Sequence, residues 1–163
     1  DYTRKGACKD SESSFYYARE VDKCPRDDTR TAACKNFKYA YRYALEVDKC
    51  SRDDTREGAC GSPAYAFEYA HNVDKYPTDI TRKTACGIPT NAYWYARSID
   101  KKSRDDTRLA ACKDPWYSYE YAVHVDKCFR EDTFTAAHKD FTSVTYYLRF
   151  ISAFKPSIKY QLY

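Results

Sequence analysis

The sequence predicts an all-α chain folded as an open α-solenoid of six two-helix repeats. Three observations carry this: a 26-residue period, helical spacing of apolar residues within the period, and an aliphatic shortage that repetition makes workable. Units begin at Thr3, Thr29, Thr55, Thr81, Thr107 and Thr133. They divide one repeat domain, 1–163, into 3–28, 29–54, 55–80, 81–106, 107–132 and a C-terminal cap, 133–158. Self-similarity at this period marks a stack in which each unit buries its apolar face against its neighbours.

Leu, Ile, Val and Phe supply 23 of the 163 residues, about 14%, below the roughly 20% at which disorder is expected. Disorder also needs a high net charge, and 28 Lys+Arg against 24 Asp+Glu leave only +4. The core must therefore come from Tyr (18 residues), Ala and Cys. No apolar run approaches the roughly 18 residues of a membrane span. The charge is too mild to indicate nucleic-acid binding by itself. Asp1-Tyr2 reads as the tail of a further unit, and Lys159–Tyr163 as a short extension.

The first helix of a unit spans roughly Arg52 to Cys60. Asp53 and Asp54 suit its positive N-terminus. Ser51 and Ser103 are expected as N-caps, with Pro25 and Pro77 opening the helix at the same position. The second helix is expected from Tyr39 to Lys49: Ala40, Tyr43, Ala44 and Val47 fall at i, i+3, i+4 and i+7, which is helical rather than strand spacing. Phe37, Pro63, Pro89 and Pro115 stand near its start, and Pro is favoured in a first turn. Helices of two or three turns are marginal alone, so stacking must stabilise them. The sixth unit has His138 in place of Cys and ends without Asp-Lys, so Phe150 and Phe154 are expected to close the stack.

Repeated polar residues have a structural explanation first. Asp22, Asp48, Asp74 and Asp100 each precede an Arg by eight residues (Arg30, Arg56, Arg82 and Arg108). A buried Arg–carboxylate ladder along the stack is expected, with bidentate pairing. Eight Cys fall into two columns: Cys8, Cys34, Cys60, Cys86 and Cys112, then Cys24, Cys50 and Cys128. The second column is broken by Tyr76 and Lys102, so obligate disulfides would strand partners. Column members about 8–10 Å apart cannot share a zinc ion that holds each sulfur at about 2.3 Å. Reduced thiols packing as small core residues fit best. The Tyr column at 17, 43, 69, 95, 121 and 147 shares its face with Ala and Val, which makes it core, with hydroxyls reaching polar partners.

The opposite helical face varies from unit to unit. Its residues include Tyr16, Arg19, Lys38, Arg42, Glu68, His71, Trp94, Arg97, Trp116 and Glu120. Trp and Arg are typical interface anchors, so this face is the expected partner-binding surface. His71, His124 and His138 occupy different unit positions, and no nucleophile–base pair or phosphate loop stands out. No enzyme activity, metal or cofactor is expected.

At VDKCPRDDTRTAAC, residues 21–34, the chain resembles short helical repeats of the HEAT, armadillo and leucine-rich-variant type. Those repeats share an Asp, a Pro-bearing turn, an early Arg and then small residues. Tyr stands here where the leucine-rich variant has Leu, and that family's iron–sulfur cysteine cluster has no counterpart. The units also look like uncharacterised Tyr-rich repeat proteins of large bacteriophages. The resemblance covers residues 3–132 well and implies a fold without a defined activity.

The leading functional expectation is a non-enzymatic scaffold that binds a protein partner. A single-stranded nucleic-acid (RNA) binder is the second; the charge balance of +4 disfavours it, since binding through phosphates should leave an uncompensated Lys/Arg stripe. A structural protein polymerising end to end is the third. Reduced thiols place the chain in a reducing compartment: the cytoplasm, or the host cytoplasm if it is viral.

Overall fold

The structure, a computed structural model, describes residues 2–154, with side chains through 153. The expected closing role of Phe154 and the extension Lys159–Tyr163 lie outside the described side chains. Twelve helices and no strand occur among the described residues, arranged as a helical solenoid. The first helices are α1 (Tyr2–Ala7), α3 (Asp27–Ala33), α5 (Asp53–Ala59), α7 (Asp79–Ala85), α9 (Asp105–Ala111) and α11 (Glu131–Ala137). The second helices are α2 (Ser11–Tyr16), α4 (Phe37–Arg42), α6 (Pro63–Tyr69), α8 (Pro89–Trp94), α10 (Pro115–Tyr121) and α12 (Phe141–Phe154).

Five second helices do not stop where their α-helical part ends. They widen into a π-helical turn: Tyr17–Asp22, Tyr43–Asp48, Ala70–Asp74, Tyr95–Asp100 and Ala122–Asp126. A π turn closes i→i+5 hydrogen bonds, so it places residues five apart near one face. Tyr43 and Asp48 are five apart, and both meet Arg30, whose guanidinium lies 5.8 Å from the Tyr43 ring centroid and 3.1 Å from Asp48. Each π turn ends on a lysine in left-handed backbone. Lys23, Lys49, Lys75, Lys101 and Lys127 have φ between 52° and 61°, where glycine is the default residue.

The first helices begin differently from the sequence expectation. Their N-caps are Arg26, Arg52, Thr78, Arg104 and Arg130, all in extended backbone. Ser51 and Ser103 stand one residue earlier and donate to Asp74 and Asp126 instead; Pro25 and Pro77 also precede the cap. Except for Thr78, whose Oγ1 accepts from the Thr81 N–H, these caps give the helix no side-chain bond. A tyrosine from the second helix does the work. The Tyr69 hydroxyl accepts from the Arg52 N–H at 3.1 Å, faces the Arg52 carbonyl at 3.1 Å and meets Thr55 Oγ1 at 2.8 Å. The same arrangement recurs for Tyr43, Tyr95, Tyr121 and Tyr147. A buried hydroxyl without partners is costly; here the fold supplies three.

Core clusters always span two units. Ala44, Ala59 and Tyr69 form one, with Tyr41, Tyr65 and Val73 against it. Ala70, Ala85 and Tyr95 form the next, with Phe67 and Ile99. Ala is small enough to let helices approach, and Tyr fills the space between them. The cap cluster of Ala122, Ala137 and Tyr147 adds Phe134, Phe150 and Ile151.

The cysteines depart from the expected core role. All eight are free thiols among the described residues, and the first column is half-buried at the end of the first helices. Burial still pushes Cys34 up to about 12, and Cys86 and Cys112 up to about 11.

Candidate functional site

Arginine and aspartate meet within a unit rather than across the turn. Arg30 bonds Asp48, Arg56 bonds Asp74, Arg82 bonds Asp100, and Arg4 bonds Asp22. The partner is thus the Asp eighteen residues later, not the one eight residues earlier, which corrects the sequence expectation. Asp22 itself is held by Arg4 and Arg26. The Asp side chains sit in the interior, with Asp74 and Asp100 at 0% exposure.

The ladder changes along the chain. Asp74 has both carboxylate oxygens bonded by Arg56. Arg82 and Arg108 turn toward Asp106 and Asp132, which stand in the first turn of the next first helix, at 3.0 and 2.8 Å. Oδ2 of Asp100 and of Asp126 is left without a hydrogen-bond partner. Burial raises the pKa of Asp48, Asp100 and Asp126, outweighing the nearby guanidinium groups. These charges are internally matched and give no open anion-binding row.

The variable face is a set of linked clusters rather than independent side chains. Arg42 stacks over the Phe15 ring at 4.4 Å and bonds Glu46 at 2.7 Å. Arg19 reaches the same Glu46 at 2.7 Å and lies 5.0 Å from the Tyr16 ring. Glu68 accepts from Asn72, which also donates to the Tyr41 hydroxyl across the unit boundary. His71 stacks on Phe67. Arg97 donates to Tyr93, whose hydroxyl donates to Glu120 at 3.0 Å, and also covers Trp94. Trp116 packs on Tyr119 and Tyr146. Lys38 lies over its neighbour Tyr39, whose ring packs on the Phe15 that Arg42 covers.

Trp94 and Trp116 remain 42% and 41% exposed, and no ring contact joins them. Glu46, Asn72 and Tyr146 belong to this surface although they are not among its expected residues, and Tyr41, which packs against the core, joins it through its hydroxyl. The eighteenth position of the unit, occupied by Glu20, Glu46, Asn72, Ser98, His124 and Phe150, was the signal that could have found two of them. It varies as freely as the tenth, fourteenth and seventeenth positions.

Among the described residues, no group of three His, Cys, Asp or Glu side chains is placed to hold a metal ion. No helix there is long and apolar enough to cross a membrane. No family model, curated protein or solved structure matches the chain.

Proposed function

We propose that this chain is a non-enzymatic repeat scaffold that binds a protein partner through the variable face of its second helices. The observation that carries this reading is the pair of half-exposed tryptophans, Trp94 and Trp116, seated among aromatic rings and arginines. Large rings held by neighbours lose little further freedom on binding, which favours their use as anchors. The core beneath them repeats from unit to unit, while the face above it does not. The free thiols suit a reducing compartment such as the cytoplasm, that of a host cell if the likeness to bacteriophage repeat proteins reflects its origin.

Pull-downs from the native host should be compared for the wild type and a Trp94→Ala/Trp116→Ala variant, with helicity monitored by circular dichroism. Loss of a specific partner at unchanged helicity supports the reading. Identical partners after both substitutions would sink it.

A further inference from the structure

Two clefts open between consecutive π-helical turns, and they are the same cleft displaced by two repeats. The first is lined by Leu45, Lys49, Cys50, Asn72 and Lys75. The second, about 310 Å³, is lined at the corresponding positions by Arg97, Lys101, Lys102, His124 and Lys127. The remaining lining is Ala44 and Val73 in the first, Ala96 and Val125 in the second. The scaffold therefore holds two lysines at each cleft, and three positions vary: Leu45, Cys50 and Asn72 against Arg97, Lys102 and His124.

We propose that the cleft between units 81–106 and 107–132 binds a compact phosphate-bearing anion with two adjacent phosphoryl groups. All three variable positions in it are basic, and no carboxylate lines it. Glu120 approaches His124 at 3.6 Å but stands outside the lining. Asp100 and Asp126 are buried and engaged by Arg82, Arg108, Arg130 and Ser103.

Lys101 and Lys127 occupy left-handed φ values of 53° and 55°, as Lys49 and Lys75 of the sister cleft do, so the repeated backbone places two lysines at each cleft and the difference between the clefts rests on the three variable positions. Lysine at a helix C-terminus is favoured by the local dipole, and that explains one cation per turn. It does not explain Arg97 one turn before Lys101, a like-charged i,i+4 spacing that is itself unfavourable, nor Lys102 beside it. Four permanent cations and a histidine in a space larger than one phosphate favour a diphosphate over a single phosphate. Bidentate guanidinium and ammonium donors are the usual partners of such oxygens.

Isothermal titration of the full chain with inorganic pyrophosphate, at fixed ionic strength, tests this. Saturable one-to-one binding is expected. Titration with ADP distinguishes a nucleotide-borne diphosphate from the free anion, because only the former leaves the base and ribose to be accommodated. The triple exchange Arg97→Leu/Lys102→Cys/His124→Asn reproduces the lining of the sister cleft on exposed positions. It should weaken binding at least tenfold while circular dichroism still shows the folded helical protein, although the Arg97–Tyr93 bond is lost with it. The reverse exchange, Leu45→Arg/Cys50→Lys/Asn72→His, should raise the stoichiometry to two. Absence of saturable binding, or undiminished binding by the first triple variant, overturns the site. A stoichiometry that stays at one after the reverse exchange overturns the assignment of specificity to these three positions.

Discussion

The hydroxyls of Tyr69 and Thr55 lie 2.8 Å apart, joining the second helix of a unit to the first turn of its first helix. Both residues are fully buried. The contact explains why a chain short of leucine uses tyrosine in its core. The ring fills the volume between helices, and the hydroxyl satisfies the cap of the first helix, whose own residue Arg52 offers no side-chain bond.

Replacing Tyr69 by Phe keeps the ring and removes that cap, leaving the Arg52 N–H and the Thr55 hydroxyl each short of a partner. The cost should be about 1–3 kcal/mol. Thr55→Val should cost a similar amount. The double variant should cost less than the sum, because both substitutions remove one network. Urea unfolding of the four proteins measures the cycle, and strict additivity would contradict a shared network.

The Arg56–Asp74 pair, with the Asp side chain at 0% exposure, should be far more sensitive than a pair on the surface. Asp74→Ala removes the buried counter-charge and leaves the half-buried Arg56 guanidinium with only Ser51 and the exposed Asp53, which should cost about 3 kcal/mol. Adding Arg56→Met should recover part of the loss, because the under-paired charge is gone. By contrast, Glu46→Ala at the partly exposed Arg42–Glu46 contact should cost about 1 kcal/mol or less. Chemical denaturation of each variant gives the comparison.

Gly58 sets helix propensity against packing. Alanine is the better helix former by about 1 kcal/mol. Yet a Cβ at Gly58 would stand 2.7 Å from Ala40 Cβ and 2.8 Å from the Cys34 carbonyl oxygen. Neither neighbour is a flexible side-chain end, so the units must separate. Gly58→Ala should therefore destabilise by about 1–3 kcal/mol, seen as a lower Tm. A raised Tm would mean that the contact yields.

Alkaline pH should destabilise the fold. Cys34, Cys86 and Cys112 are held above the usual thiol value of 9.0. Tyr43, Tyr69, Tyr95 and Tyr121 are likewise raised from 10.0, chiefly by burial. The unfolded chain then loses these protons first, so their contribution is intact below pH 9 and is lost as pH climbs toward 11 and 12. Tm followed from neutral to alkaline pH should fall past 9. In the native protein, exposed Cys50 and Cys128 should react with a thiol reagent before Cys34, Cys86 and Cys112. Equal reaction rates would overturn the assigned burial of the first column.

The sequence alone determined the period, the helical class and the buried face, because Tyr and Ala at i, i+3 and i+4 leave one stripe to bury. Tyr43, Ala44 and Tyr69 are all at 0% exposure, as that stripe requires. Partner choice within the repeat was not legible there. Offsets of eight and eighteen residues together make one period, so a repeating Arg and Asp cannot reveal which neighbour each will meet. The tertiary structure decided it: the π turn swings Asp48 back over Tyr43 and onto Arg30. It also decided the clefts, whose seven lining residues come from two units and converge only when the helices stack. The spacing of a repeat specifies what recurs along the chain, while contacts between units depend on how far each helix turns before it ends.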